Sequence, residues 1–197
     1  MDELNPSDAS LSRSPAVRLR GGRLAVVVLS TCAIAIGLFA ASLAVGGGRR
    51  AAALPPVNSG PALVAQDQLE RLAASTAQPI YWAGPKSGYS YELTRTSSGR
   101  IYVRYLPSGV AAGDPRPDFL VVGTYEQPGS FAYLQHASSN PKSVALDIGN
   151  GGIALFDSAH PSSVYFAYPR APYQVEVYDP SGSASRLVLA GTIRPLR

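Results

Sequence analysis

Two histidines, His136 and His160, are the only side chains in this sequence whose ordinary pKa lies near neutrality, so a general base must begin with one of them. His160 lies three residues after Asp157, which makes His160 and Asp157 the candidate pair for a hydrolase. A Ser-His-Asp enzyme also needs an activated serine, and no G-x-S-x-G or other nucleophile signature accompanies the pair. Zinc would need both histidines plus carboxylates, because the single cysteine, Cys32, sits inside an apolar run; no H-E-x-x-H spacing supports such a site. Gly149-Asn150-Gly151-Gly152-Ile153-Ala154 superficially matches a dinucleotide-binding pattern, whose purpose is to deliver pyrophosphate to a helix N-terminus. Strand-like sequence follows instead of a helix, so the motif reads as a hairpin turn. These residues imply no catalytic residue, no metal and no cofactor.

Recognition is the other chemistry available. The chain holds 11 tyrosines, all after residue 45. In Arg100 to Tyr105 the alternation sends Ile101, Val103 and Tyr105 to one face and Arg100, Tyr102 and Arg104 to the other, with Glu92 on the preceding strand able to reach Arg100 or Arg104. Tyr and Arg make contact surfaces for proteins and sugars, so Arg100, Tyr102, Arg104 and Glu92 form the candidate binding face. Ordinary sheet composition accounts for the same residues, since tyrosine favours strands.

These residues are positioned by a domain of about 135 residues, from position 62 to 197, which by size is one compact unit. Ala62 to Ala77 has the spacing of an amphipathic helix, stopped at Pro79. Strand patterns follow at Ile80 to Ala83, Tyr89 to Thr94, Arg100 to Tyr105 and Phe119 to Tyr125, the last apolar on both faces as a central strand would be. A helix over Pro128 to Ser139 would turn Phe131, Leu134 and either Ala137 or Ala132 to the sheet. Ser143 to Ile148 and Gly152 to Asp157 flank the Gly149-Asn150-Gly151 turn, Val164 to Tyr168 and Tyr173 to Tyr178 are further strands, and a last helix runs from about Ser183 to Ala190. The fold class expected is α+β: a mainly antiparallel sheet with two or three helices packed on one face. Val122 to Ser130 and Val175 to Ser183 match without gaps, suggesting two degenerate ββββα units. A second match, Tyr81 to Glu92 with Tyr165 to Glu176, implies a different register, and the two cannot both reflect ancestry.

The chain before the domain places it at a membrane. Leu24 to Val45 has no charged residue and is long enough to span a bilayer as one helix. Residues 1–23 read as a disordered cytoplasmic tail, 24–45 as the transmembrane helix, 46–61 as a Gly/Ala/Pro linker and 62–197 as the extracytoplasmic domain. Arg13, Arg18, Arg20 and Arg23 precede the run and only Arg49 and Arg50 follow closely, which favours the N-terminus inside and the large domain outside. A cleaved signal peptide, and a lipobox-like Leu29-Ser30-Thr31-Cys32, are alternatives for the same stretch. Its length argues against cleavage, and the apolar residues after Cys32 argue against lipidation. Six of the 17 basic residues flank this run, whereas from Leu63 onward 11 bases face 10 acids, so the domain carries no electrostatic footprint for nucleic acid.

With the anchor, the spacer, the IYWAGPKSGYSYELTRTSSGRIYVRYLP hairpin and the YFAYPRAPYQVEVYDPSGSASRLVLAG end taken together, the chain resembles uncharacterised single-pass envelope proteins of high-GC Gram-positive bacteria. That resemblance implies no assigned activity. The layout is also similar to the outer domains of membrane-tethered regulators such as anti-sigma factors, although residues 1–23 are too short for a sigma-binding helical domain. The function expected is non-catalytic binding of an envelope protein or glycan partner; the alternatives are an envelope hydrolase at His160 and Asp157, and the outer domain of a tethered regulator.

Overall fold

The computed structural model describes residues 53–196, so the apolar run, Cys32 and the tail before them lie outside the described residues. No helix among the described residues is long and apolar enough to cross a membrane. Ten strands and three helices follow in order: β1 (Ala62–Val64), α1 (Gln66–Ser75), β2 (Tyr81–Trp82), β3 (Tyr89–Arg95), β4 (Ile101–Pro107), β5 (Val121–Glu126), α2 (Ser130–Ala137), β6 (Ser143–Asp147), β7 (Ile153–Asp157), β8 (Ser163–Ala167), β9 (Tyr173–Tyr178), α3 (Ala184–Leu189) and β10 (Arg194–Pro195). Eight strands form one sheet in the order β1-β3-β4-β5-β9-β8-β7-β6, and β10 pairs with β2 in a separate ribbon. Every pairing is antiparallel.

Alternation along the strands gives the sheet two different faces. On the first face Tyr91, Leu93, Val103, Tyr105, Val122, Val164, Phe166, Val175 and Val177 join the main core with Leu69 and Leu72 of α1, Ile80, Trp82, Ala184, Val188 and Ile193. Leu69 and Leu72 are no more than 1% exposed, and each such burial is worth about 2 kcal/mol. On the second face α2 lays Leu134 against Leu155 and Ala167, with Phe131, Ala137, Ile153 and Tyr165 around them. Thus the α+β class and the antiparallel sheet are as expected, but the helices do not share one face: α1 and α3 cover the first and α2 the second. The physical reason is that both faces carry apolar residues, so each needs a cover.

The first turns of the expected helix are also different. Ala62–Val64 pairs with Leu93, Glu92 and Tyr91 as an edge strand, and the helix starts only after Ala65. Gln68 Oε1 accepts from the Ala65 N–H at 2.9 Å and closes that start. Helical spacing in Ala62 to Val64 was outweighed by the ladder that β3 offers. Upstream, Leu54 packs against the core, and Asn58 N–H donates to the Arg95 carbonyl at 2.9 Å. Residues 54–58 of the expected spacer therefore lie on the domain.

The sheet has an internal symmetry of pairing. Gly123 of β5 pairs with Glu176 of β9 at its centre. A half-turn about that pair exchanges Val122 with Val175 and Thr124 with Val177, the ungapped match seen in the sequence. Following the ladders outward, it exchanges Tyr102 with Tyr165, Val103 with Phe166, Leu93 with Ala154 and Ala62 with Leu146. The helices break it, since α2 and α3 follow equivalent strands yet cover opposite faces.

Candidate functional site

Glu92, Tyr102 and Arg104 do share the second face of the sheet, but they do not form a wet contact surface. Arg104 and Glu92 are 6% and 4% exposed. Their closest approach, Nη1 to Oε1, is 3.4 Å. The loop between β4 and β5 folds over them: Arg104 donates to the Asp114 carbonyl at 2.7 Å and to the Arg116 carbonyl, while Glu92 Oε2 accepts from Gly113 N–H at 2.6 Å. Phe119 covers the pair, with the Arg104 guanidinium 4.6 Å from its ring centre. Alternation correctly predicted the face but not its cover. A charge pair pointing off a sheet can be buried by a distant loop whose carbonyls and amide supply the missing partners.

Arg100, by contrast, is exposed, and its guanidinium stands 5.2 Å from the Tyr125 ring. Tyr102 is half-buried because it lies across Gly123: a Cβ there would stand 3.0 Å from two atoms of the Tyr102 ring. That bare position makes room for aromatic rings at the middle of the sheet. Glu176, across the ladder from Gly123, is 8% exposed and accepts from the Tyr165 hydroxyl at 3.0 Å and, more weakly, from the Tyr125 hydroxyl at 3.5 Å. The four predicted residues therefore divide between a structural ion pair and the rim of a tyrosine-held acid.

The histidine pair makes a turn and not a pocket. Asp157 Oδ1 accepts from Ala159 N–H at 2.8 Å, and Asp157 Oδ2 is 3.7 Å from His160 Nδ1. The His160 side chain is 75% exposed, which leaves it hydrated and without a wall to shape a substrate. His136 is exposed in the last turn of α2. Among the described residues no cluster of three or more His, Cys, Asp or Glu side chains is placed to hold a metal. The glycine motif is a turn, as expected: Gly149, Asn150 and Gly151 all adopt positive φ and β7 follows directly.

A site that alternation did not reveal lies at the edge of the first-face layer. Gln66 and Glu70 from α1, Trp82 and Pro85 around β2, and Arg194, Pro195 and Leu196 from the C-terminal ribbon line a cleft of about 540 Å³. Gln66 and Glu70 are one helical turn apart, so both project from the same side of α1, where Gln66 Nε2 donates to Glu70 Oε1 at 2.8 Å. Trp82, the only tryptophan, is 4% exposed and packs edge-on against Tyr91. Its ring forms part of the cleft lining. Arg194 pairs with Trp82 in the ribbon and exposes its side chain at the rim. The cleft thus offers a guanidinium, a carboxylate and an apolar floor.

The floor is held by a buried hydroxyl. Tyr105 on β4 accepts from Ala83 N–H at 2.7 Å and donates to the Gly84 carbonyl at 3.0 Å, fixing the chain just after Trp82. Burial raises the Tyr105 pKa far above the ordinary phenol value. The sequence did hold signals for this site, namely the lone Trp, the Gly84-Pro85 turn beside it and the four-residue spacing of Gln66 and Glu70. The ribbon strand that completes it is two residues long and has no pattern to detect. Compared with protein-family models, with curated proteins and with solved structures, the chain matches none.

Proposed function

We propose that this protein is a membrane-anchored extracytoplasmic module that binds an envelope partner, a protein or a glycan, without catalysis, and that the partner docks in the α1/β2/β10 cleft. The cleft itself carries the reading: it is half open, and its lining sets Trp82, Pro85, Pro195 and Leu196 beside the hydrogen-bonded Gln66 and Glu70 and the exposed Arg194 guanidinium. Anchoring is supported by the charge-free Leu24 to Val45 run, and the outward orientation by the arginines before it. Binding is favoured over hydrolysis because, among the described residues of the lining, Glu70 is the one carboxylate, whereas glycoside hydrolysis uses two, and none is a serine, cysteine or histidine. The doubled pairing register further supports an origin of the sheet from two four-stranded copies in the Val122/Val175 alignment. Divergent relatives should then align their halves on the Gly123/Glu176 positions.

A photo-crosslinking residue in place of Gln66, in cells, tests the docking site. One discrete adduct is expected, lost when Glu70→Ala and Arg194→Ala are combined. Titrating the purified full chain with the captured partner should change the emission of Trp82. An adduct that survives the double substitution, with no change in Trp82 emission, overturns the assignment.

A further inference from the structure

The outer edge of β6 points to a second site, independent of the cleft. At one end of the ladder Ser158 N–H donates to the Lys142 carbonyl at 2.8 Å, and at the other Ile148 N–H donates to Gly152 at 3.4 Å. With β6 and β7 in register between those ends, Val144 and Leu146 turn their backbone groups to β7, while Ser143, Ala145 and Asp147 turn theirs outward. Asn140 takes the Ser143 N–H, but among the described residues no strand pairs with the rest of that edge. Protein sheets usually blunt such an edge by shortness or proline. The opposite edge does so, since β1 is three residues long and preceded by Pro61. β6 has five residues, Ser143-Val144-Ala145-Leu146-Asp147, with Ala145 exposed at its middle and no proline within it, Pro141 standing two residues before its start.

We propose that this edge pairs antiparallel with β6 of a second copy of the chain, centred on Ala145. In that register Ala145 exchanges both backbone bonds with Ala145 of the other copy, and each Asp147 N–H reaches the Ser143 carbonyl opposite. Val144 faces Leu146 across the seam, apolar against apolar. Charge favours this direction: parallel in-register doubling would set Asp147 beside Asp147 and Lys142 beside Lys142, whereas antiparallel doubling puts each Asp147 opposite a neutral Ser143. Space is available as well. On the second face, Phe131, Gln135, Ala145, Asp147 and Ile153 border a cleft of about 290 Å³ between α2 and the edge, so the helix does not roof the edge and Ala145 stays exposed. The seam has the same two-fold form as the β5/β9 pairing inside the chain. Its small area, below the roughly 1,000 Å² of stable interfaces, makes it weak in dilute solution, and confinement of both copies to one membrane raises their effective concentration.

Disulfide trapping in native membranes tests this. In full-length chain carrying Cys32→Ser, Ala145→Cys should form a covalent dimer on mild oxidation, because directly opposed antiparallel residues have Cα atoms about 5.5 Å apart, within disulfide range. Ser143→Cys alone should stay monomeric, and Ser143→Cys combined with Asp147→Cys should restore the dimer. Leu189→Cys, exposed on α3, is the collision control. Ala145→Cys remaining monomeric, crosslinking no faster than Leu189→Cys, or joining a different polypeptide would each overturn self-pairing.

Discussion

Removing the Arg104 side chain should cost this domain more than any other exchange of a charged residue, and the structure says how much. Arg104→Met keeps the aliphatic stem against Phe119 but deletes the charge from a site where both partners are at most 7% exposed. Three acceptors lose their donor: Glu92 and the Asp114 and Arg116 carbonyls. Stranding a buried carboxylate costs about 3 to 5 kcal/mol, a large part of a domain's usual 5 to 15 kcal/mol. Glu92→Gln should be far milder, about 1 to 2 kcal/mol, because the amide oxygen can still accept from Gly113 and Arg104 keeps both carbonyls. Combining Arg104→Met with Glu92→Gln should cost less than the two single changes summed, since no buried charge remains. Urea denaturation of the full chain, followed by Trp82 emission, gives the three values from one probe. A loss below about 1 kcal/mol for Arg104→Met, or a larger loss for Glu92→Gln, would refute the claim that the loop is held by charge-assisted bonds to carbonyls.

Three further outcomes follow from the same geometry. Stability should fall as pH rises above the ordinary phenol value of about 10, because the unfolded chain then releases a proton that buried Tyr105 retains. Tyr105→Phe should flatten that alkaline slope and lower neutral stability by about 1 to 3 kcal/mol through the orphaned Ala83 amide, both read by thermal melts across pH. Asp114, whose carboxyl Arg116 holds down to about 2, contributes in full above the ordinary carboxylate range and loses its contribution as pH falls toward 2. Carbon-13 titration should show Arg116→Ala raising it only part of the way to an ordinary carboxyl, because the N–H of residue 116 still donates to Oδ1. Gly152→Ala should destabilise by about 1 to 3 kcal/mol, because its Cβ would stand 2.6 Å from the Tyr168 ring and 2.8 Å from Ile148, and Tyr168 is itself packed edge-on against Phe166. A melting temperature unchanged by that substitution would mean the ring moves freely.

Local pattern and tertiary structure divide the explanation of this protein between them. The alternation of Tyr89 to Thr94 and Arg100 to Tyr105, the Gly149-Asn150-Gly151 turn and the spacing of Phe131, Leu134 and Ala137 were legible in the sequence, because strand faces, hairpins and amphipathic helices follow from the chain's local geometry. So was the central place of β5, apolar on both faces and paired on both sides. What alternation cannot say is what lies above a face. Glu92 and Arg104 look solvent-facing until the loop through Asp114 and Phe119 is laid over them, and Ile153 and Ala167, which occupy the equivalent places in the other half, are covered by a helix instead. Ala62 to Val64 keeps a helical spacing yet becomes a strand, since the open edge of β3 satisfies more backbone groups than another helical turn would. The cleft under Glu70 and Arg194 joins residues from opposite ends of the domain. By itself, then, the sequence determined most of the longer segments and which side of each is apolar, but not the edge strand Ala62–Val64 or the ribbon strand Arg194–Pro195. Only the tertiary structure decided which polar side chains are sealed and which stay open to a partner, because that depends on where segments distant in the chain come to rest.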